Sequence, residues 1–319
     1  METSPFMAVS PHLHGSSWAS LATFDLQMPG RPFSSVMDWF CVRGFDCWCL
    51  DNEGYGRSDK HRDSRFGIET GADDIAAATA YILKARKLEN VLLYGISAGA
   101  LKSALFTQRF PERVARLALD AFVWTGKGSP TLEERRKTVP ELLKSNRRPF
   151  TRRVIQSVFD RDLPGTAEQS LIDAFARESM KWDDSVPTGT YIDMSTKLPM
   201  VDPEKIRVPT IVMRGQYDGV AGIQDLYDFF ALLPHPDKHF AHMPGVAHAS
   251  FQQTNYMLVY HTLIICWFIT RSIRSLRSRL PSSLDRTPTR IVTKFVCRSF
   301  SCSRDGPSSS SLRRPALQF

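Results

Sequence analysis

The hydrophobic pattern of the first 270 residues alternates between two kinds of segment. Short apolar runs that end at polar or Gly-rich turns are typical of buried parallel strands, whereas longer stretches with apolar residues three and four positions apart are typical of helices. Strands are predicted at residues 45–51, 90–96, 114–123, 210–215 and 238–245. Helices are predicted at residues 71–87, 98–110 and 223–233. Because the two kinds alternate, the pattern predicts an α/β fold with a mostly parallel sheet covered by helices.

Residues 124–201 interrupt this alternation. They carry helical patterns, many Arg and Lys residues and several prolines, but no convincing core strand. An insert of this size at the carboxyl edge of a sheet is typical of a cap over the site. We therefore predict a core of residues 1–123 and 202–270 with a helical cap at 124–201. Large aromatic residues of the cap indicate either a bulky apolar substrate or, as the favoured interpretation, the cap's own core. These residues are Trp124, Phe150, Phe159, Phe175 and Trp182.

The positive charge is concentrated at the end of the chain. Residues 271–319 hold eleven of the 41 Lys and Arg residues but two of the 33 Asp and Glu residues, so residues 1–270 carry 30 basic and 31 acidic side chains. The net charge of +8 therefore describes the tail rather than the core. Twelve of residues 271–319 are Ser and ten are Arg. A segment of this composition cannot bury enough apolar surface to fold. We predict a disordered tail at 271–319 and no specific nucleic-acid partner; tethering of the tail to anionic membrane or RNA is a secondary hypothesis.

Residues 256–270 form an almost unbroken apolar run. A membrane-spanning helix needs about 20 apolar residues, and this run contains His261 and Thr262, so a buried C-terminal helix is favoured over a membrane anchor. Residues 1–15 show no basic start followed by an apolar run, and none of the six cysteines has CxxC spacing. These features predict a cytoplasmic protein with reduced thiols and without stable membrane insertion.

A candidate nucleophile lies in the sequence Gly95-Ile96-Ser97-Ala98-Gly99, between a predicted strand and a predicted helix. In this context G-x-S-x-G is typical of a nucleophile elbow. The elbow turn is so sharp that side chains at 95 and 99 would meet neighbouring backbone, which explains glycine at both positions. A serine that only caps the helix between two turn glycines is the alternative interpretation.

A serine nucleophile needs a histidine base and an acid that orients the histidine, and in this context they follow in the order Ser, acid, His. Asp218 and His248 each follow a predicted strand. Because the carboxyl ends of parallel strands share one edge of the sheet, we predict Ser97, Asp218 and His248 as the catalytic residues. Asp120, at the end of another predicted strand, is the alternative acid.

The remaining histidines do not indicate a second centre. His239 and His242 lie within a predicted strand and are interpreted as packing or surface residues. His12, His61 and His235 lie in predicted loops without a paired acid. No two histidines have the spacing of a helical metal site, so we predict neither a metal ligand nor a cofactor.

An oxyanion formed during acyl transfer needs hydrogen-bond donors. One predicted donor is the backbone N–H of Ala98, the residue after the nucleophile, and the other comes from the loop after the first central strand. His14-Gly15 forms a tight turn there, and Ser16 follows it. Ser16 is therefore the favoured second donor, with Ser17 as the alternative.

Together these motifs resemble the α/β-hydrolase superfamily, specifically its single-domain members with a helical cap, over residues 8–270. The resemblance includes the D-x-x-G-x-G-x-S sequence at 51–58, which we interpret as a Gly-shaped structural turn beside the site. It implies cofactor-free cleavage of esters, thioesters, lactones or carbon–carbon bonds. The details look similar to fungal and bacterial hydrolases, some of them in polyketide and other secondary-metabolite pathways. Ser97 argues against haloalkane dehalogenases and epoxide hydrolases, which use Asp at the elbow.

The chain departs from the family pattern at both ends. Typical members have two more strands before the His-Gly turn, whereas 13 residues precede His14 here. Pro11 lies in the strand expected to enter this turn, and a central strand tolerates proline badly. Residues 271–319 have no family counterpart. A start codon placed too late, or an intron read through at the end, would produce these features.

The sequence therefore predicts a serine hydrolase acting on an ester, thioester or lactone of a small to medium apolar metabolite. The resemblance favours a role in secondary-metabolite biosynthesis. Two alternatives are a carbon–carbon bond hydrolase with the same triad and a non-catalytic small-molecule receptor of the same fold. A broad ester panel separates the receptor from the enzymes, because a receptor binds without turnover.

Overall fold

The computed structural model describes residues 7–13, 19–275 and 298–301. Its strands are β1 (Met7–Leu13), β2 (Phe45–Asp51), β3 (Val91–Ile96), β4 (Val114–Asp120), β5 (Arg147–Pro149), β6 (Ser185–Pro187), β7 (Thr210–Gly215), β8 (Lys238–Met243) and β9 (Arg298–Ser301). Within the described residues, seven strands form one sheet in the order β8-β7-β4-β3-β1-β2-β9, and every neighbouring pair is parallel. The predicted α/β class with a mostly parallel sheet is confirmed. Strands β2 and β7 have the predicted bounds, and β3, β4 and β8 differ from them by one to three residues at one end.

Eleven helices surround this sheet in the described part of the chain. They are α1 (Ser20–Phe24), α2 (Val36–Cys41), α3 (Ile68–Arg86), α4 (Ala98–Arg109), α5 (Pro130–Lys137), α6 (Val139–Leu142), α7 (Arg152–Asp160), α8 (Gln169–Met180), α9 (Gly189–Thr196), α10 (Ile223–Leu232) and α11 (Tyr256–Ser275). Helix α3 begins three residues before the predicted helix and ends one residue before its predicted end. Glu69 lies in its first turn and Lys84 and Arg86 in its last, each complementing the helix dipole.

The sheet has a separate hydrophobic core on each face. In β4, Leu117 and Leu119 face the core shared with α3, α4 and α10, whereas Ala118 faces the core shared with α2 and α11. Successive strand residues point to opposite faces, and both faces are covered, so β4 is apolar at three consecutive positions, 117–119, rather than alternating. This arrangement fixes the sheet rigidly and leaves its carboxyl edge for the site.

The apolar run, from Tyr256 to Trp267, packs against the sheet within α11. Val259, Tyr260 and Leu263 are almost completely buried, and the ring of Tyr260 lies 5.1 Å from that of Trp39 in α2. Trp267, one turn further on, stacks 5.0 Å from Phe40. No helix in the described ranges combines the length and the apolar content that a membrane span requires.

Strand β1 contains Pro11 although it lies inside the sheet. It lies between β3 and β2, and its register shifts between Val9 and His12 on one side and between Ser10 and Leu13 on the other. Pro11 has no N–H to donate to the ladder, and an irregularity of this kind is where a sheet accommodates proline. The unfavourable residue thus produces a local bulge.

Residues 124–201, which we call the cap segment, contain α5 to α9 and a short antiparallel pair of β5 and β6. That pair was not predicted from the sequence, because two three-residue strands leave no periodic pattern. Phe159 and Phe175 meet edge to face at 5.6 Å, and both are buried together with Phe150. Trp124 donates its indole N–H to the Val201 carbonyl at 3.0 Å. The three phenylalanines agree with the favoured interpretation of a core within the cap. Trp124 instead packs against the core of the sheet, and Trp182 is 40% exposed, so the interpretation does not hold for these two residues.

The structure describes two pieces of the predicted disordered tail, residues 271–275 and 298–301. Helix α11 continues to Ser275, past the predicted boundary at 271, and β9 pairs with β2 from Trp48↔Arg298 to Asp51↔Ser301. In these two pieces the structure differs from the predicted disorder. Strand β9 pairs with backbone groups on the outer edge of β2 that would otherwise face solvent. The rest of the predicted tail lies outside the described residues.

Candidate active site

Ser97 lies at a strained turn between β3 and α4. Its backbone has φ 57° and ψ −125°, a positive φ that costs a residue with a side chain about 1–3 kcal/mol. Its N–H donates to the Asp120 carbonyl at 2.8 Å, which fastens the turn to β4. A Cβ on Gly95 would lie 2.5 Å from the Gly99 carbonyl oxygen, so only glycine fits there. The turn therefore has the geometry of a nucleophile elbow.

The structure brings the three predicted catalytic residues into one hydrogen-bonded row. His248 Nε2 lies 2.8 Å from Ser97 Oγ, and His248 Nδ1 lies 2.9 Å from Asp218 Oδ1. Asp218 follows β7 and His248 follows β8, so both loops leave the carboxyl edge of the sheet beside the elbow. Asp218 and His248 are buried, whereas Ser97 is partly exposed. A reacting group can thus reach the serine while the acid stays away from water.

Asp218 is held as a carboxylate. Its Oδ1 accepts hydrogen bonds from the backbone N–H groups of Val220 at 2.8 Å and Ala221 at 3.3 Å. Burial raises the pKa of Asp218, but His248, the Val220 N–H and the Arg161 guanidinium lower it, and the net pKa is below the ordinary value. An ionised acid at this position stabilises a protonated His248.

Asp120, the alternative acid, is directed elsewhere. Its Oδ2 accepts from the Tyr94 hydroxyl at 2.6 Å and its Oδ1 from the Ser250 hydroxyl at 3.0 Å. Burial raises its pKa to about 7, even though both hydroxyl donors lower it. Ser250 lies two residues after His248, so Asp120 ties the histidine loop to the end of β4. Tyr94 and Ser250 were not predicted from the sequence, since no local spacing links them to Asp120.

One predicted oxyanion donor is described and the other is not. Ala98 is the first residue of α4 and is buried, and the first N–H groups of a helix have no carbonyl acceptor within the helix. Its N–H is therefore available beside Ser97 Oγ. The predicted second donor Ser16, its alternative Ser17 and the His14-Gly15 turn lie outside the described residues.

The D-x-x-G-x-G-x-S sequence forms a turn that connects the sheet to the cap segment. Asp51 Oδ1 accepts from the Ser20 N–H at 2.7 Å, and Asp51 Oδ2 accepts from the Arg57 N–H at 3.1 Å. Gly54 has φ 89°, and a Cβ on it would lie 2.6 Å from Pro187 Cγ of the cap segment. Glycine is required because the backbone turns left-handed and the cap packs directly on it. These contacts support the interpretation as a structural turn.

The other histidines whose side chains are described do not join this row. His12, which was predicted to lie in a loop, lies in strand β1. His239 and His242 are exposed on β8, and His239 Nε2 lies 2.9 Å from Asp237. His235 accepts from the Asp237 N–H, and His61 is exposed. Across residues 7–13, 19–275 and 298–301, no three His, Cys, Asp or Glu side chains are grouped so that they could hold a metal ion.

The match to a family model identifies the class of protein. Residues 30–255 match the model described as serine aminopeptidase, S33, which spans more than half of the chain. The chain therefore belongs to this family of α/β-hydrolases. No curated protein sequence matches it.

Solved structures of other proteins share this fold. An esterase from Thermogutta terrifontis superposes with a TM-score of 0.57 at 16% identity, covering 85% of this chain and 91% of the esterase. The thioesterase domain from the curacin biosynthetic pathway gives 0.54 at 14% identity, with 82% and 92% covered. E-2-(acetamidomethylene)succinate hydrolase gives 0.55 at 16% identity, with 81% and 91% covered. At these identities the likeness shows the fold alone.

Proposed function

We propose that this protein is a serine hydrolase in which Ser97 is the nucleophile, His248 the general base and Asp218 the orienting acid. The observation that carries the proposal is the unbroken row from Ser97 Oγ through both ring nitrogens of His248 to Asp218, with 2.8 and 2.9 Å between the atoms. A serine hydroxyl is a weak nucleophile unless a positioned base takes its proton. The strained elbow adds support, because it holds Oγ at the sheet edge.

The reaction runs in two halves. Ser97 Oγ attacks the acyl carbon while its proton passes to His248 Nε2, and the His248 Nδ1–H donates to the Asp218 carboxylate. The tetrahedral intermediate collapses, the leaving group takes the proton from Nε2, and an acyl-serine remains. Water then attacks the acyl-serine and gives a proton to Nε2, and Ser97 leaves with that proton. The enzyme returns to its starting state with one water consumed.

Charge development sets the roles of the other groups. Negative charge grows on the acyl oxygen, and the Ala98 N–H is the donor proposed to bind it, together with the Ser16 N–H. Loss of one such donor typically costs about 10²–10³ in kcat. Positive charge grows on His248, and the low pKa of Asp218 keeps a full negative charge beside it.

The substrate class proposed is an ester, thioester or lactone. The esterase and the thioesterase domain among the similar structures favour acyl transfer to water, and the curacin biosynthetic pathway of the thioesterase domain makes secondary-metabolite biosynthesis the proposed setting. Attack on a peptide amide passes through the same intermediate, so the family's aminopeptidase description is compatible with this chemistry.

Hydrolysis of a panel of 4-nitrophenyl esters, acyl thioesters, lactones and aminoacyl 4-nitroanilides tests the proposal. The unmodified protein is expected to turn over members of at least one class, and Ser97→Ala to lose on the order of 10⁴–10⁶ in kcat. Ser170→Ala is the matched control, since Ser170 is exposed on α8, and it is expected to keep full activity. Full turnover by Ser97→Ala would exclude Ser97 as the nucleophile.

A further inference from the structure

Three arginines from separate elements of the cap segment gather around Tyr191. The guanidinium carbon of Arg135 in α5 lies 3.8 Å from the centre of the Tyr191 ring, and that of Arg148 in β5 lies 4.1 Å from it. Arg161, directly after α7, is close enough to both Arg135 and Tyr191 for electrostatic interaction. We call Arg135, Arg148 and Arg161 the arginine cluster.

The arginine cluster lies against the loop that carries Asp218. The first turn of helix α5 contacts this loop, since the Thr131 N–H donates to the Gly219 carbonyl at 3.3 Å. Thr131 Oγ1 would be 3.4 Å from a Cβ on Gly219, so this face of α5 looks onto the loop. Arg135 is four residues after Thr131 and shares its face. The Arg161 charge lowers the pKa of Asp218, which places a second member of the cluster beside the same loop.

A buried hydroxyl approaches the cluster from the sheet side. Tyr55 belongs to the turn after β2 and is almost completely buried. Among the described residues its hydroxyl has no hydrogen-bond partner, although Thr190 and Arg148 are near enough to lower its pKa, which burial raises to about 12. A buried donor without an acceptor is costly, and an acceptor group of a ligand would remove that cost.

The cluster carries more positive than negative charge. Asp162 pairs with Arg161 at 2.9 Å, whereas the Arg135 guanidinium forms no ion pair with any residue in the described ranges. Burial lowers the pKa of Arg135, and the neighbouring Arg161 and Arg148 charges lower it further. Like charges brought together in a partly buried space repel one another, and a bound anion relieves this repulsion.

Solvent and ligands can reach the arginine cluster. All three arginines are partly exposed. Arg161 also lines a surface groove along α7; the other lining residues are Arg152, Arg153, Gln156, Ser157 and Asp160. The groove has three guanidinium groups against the one carboxylate of Asp160, and its Arg161 end adjoins the cluster.

We propose that the arginine cluster binds a carboxylate of the substrate, so that the enzyme prefers esters whose acyl part carries an acid group away from the scissile bond. This inference rests on the proposed function for the site at Ser97. Guanidinium groups match a carboxylate in charge and in planar, two-point geometry. Arg135 and Arg148 are the specificity-determining residues, and the Tyr55 hydroxyl is a further donor.

A pair of esters that differ at one position tests the proposal. 4-Nitrophenyl hemiglutarate has a carboxylate where 4-nitrophenyl pentanoate has a terminal methyl group. The ratio of kcat/KM, hemiglutarate over pentanoate, is expected to exceed one in the unmodified protein. It should fall about tenfold to a hundredfold in Arg135→Gln and in Arg148→Gln, since a charge-assisted hydrogen bond contributes about 1.5–3 kcal/mol. Arg177→Gln, an exposed change on α8, should leave the ratio unchanged.

The ratio separates recognition from damage to the fold, because a loosened cap segment lowers both rates together. An unchanged ratio in both cluster variants, with turnover abolished by Ser97→Ala, would overturn the carboxylate site and leave the proposed function intact. Turnover that survives Ser97→Ala would instead overturn the proposed function.

A binding measurement tests the site without catalysis. Glutarate is expected to raise the Tm of the Ser97→Ala protein, and to have no such effect on Ser97→Ala/Arg135→Gln, with sodium chloride at matched ionic strength as the control. Equal shifts in the two proteins, or no shift in either, would contradict the proposal whether or not the unmodified protein cleaves either ester.

Discussion

The carboxyl edge of the sheet and the cap segment place their polar side chains by different means. At the sheet edge, each residue of the row lies in the turn or loop that follows a strand, and backbone geometry positions it: φ 57° at Ser97, a contact that excludes any side chain at Gly95, and two backbone N–H groups that bond Asp218. In the cap segment, Arg135 of α5 and Arg148 of β5 meet over the ring of Tyr191 in α9. The residues proposed for catalysis are therefore held by the backbone, whereas those proposed for recognition are placed by packing between separate elements.

The largest expected effect contrasts two buried acids at the sheet edge. Asp218→Asn should lower kcat about 10⁴-fold, because an amide no longer fixes the tautomer of His248 or stabilises its protonated form. Asp120→Asn should retain most of the activity, since Asp120 bonds Tyr94 and Ser250 rather than the histidine. Steady-state kinetics of both variants on one ester measure the two losses of kcat. A larger loss in Asp120→Asn than in Asp218→Asn would show that Asp120, at the end of β4, is the orienting acid.

The next effect compares a glycine of the elbow with one of the cap segment. Gly95→Ala would drive a Cβ to 2.5 Å from the Gly99 carbonyl oxygen, and it should destabilise the fold by about 3 kcal/mol and lower kcat by about 10² or more. Gly165→Ala has open space and only an unfavourable φ of 87°, so it should cost about 1–2 kcal/mol and leave kcat unchanged.

Urea unfolding and kinetics measure both glycine variants. Equal losses of kcat in the two would show that the elbow is no more constrained than a cap loop, which would remove the distinction drawn between the two regions.

A smaller effect is the pH dependence of stability that Asp120 causes. Its pKa is raised by burial from 3.8 to about 7, so between these values the folded protein holds a proton that the unfolded chain releases. The free energy of unfolding therefore falls as pH rises through this window, by a few kcal/mol at most, since one pKa unit corresponds to about 1.4 kcal/mol. Asp120→Asn should lack this fall.

Thermal unfolding of the unmodified protein and of Asp120→Asn, recorded at about pH 4, 5.5 and 7, measures the difference directly. The Tm of the unmodified protein relative to the variant should decline with rising pH. A difference that stays constant across this range would contradict a raised pKa at Asp120.

The sequence predicted most strands of the sheet and the approach of Ser97, Asp218 and His248 to one another. Both predictions depend on local patterns, which the contacts of the cap segment lack. Strands β2 and β7 are short, largely apolar runs, and Gly95 before Ser97 marks a turn that tolerates nothing larger. Asp218 and His248 each follow a predicted strand of the parallel sheet, so the topology alone predicts that they meet, as they do in the structure.

Other features depend on contacts between distant residues and leave no local pattern. The pairing of β5 with β6, the support of Ser250 by Asp120, and the approach of Arg135 to Arg148 join residues whose spacing carries no period. Strand β1 was predicted from the sequence. The register shift around Pro11 was not, because it is visible only in the pairing of β1 with its two neighbouring strands. Such features require the folded chain, which is why the carboxylate site comes from the structure.

Labelling with a fluorophosphonate tests the central claim, an activated serine at the elbow, most directly. Intact-mass measurement on the folded protein, with circular dichroism on the same sample, is predicted to show one adduct, which peptide mapping assigns to Ser97 and which Ser97→Ala and Asp218→Asn lose or form far more slowly. A well-folded protein that takes up no adduct, or takes it up at another serine, would contradict the account.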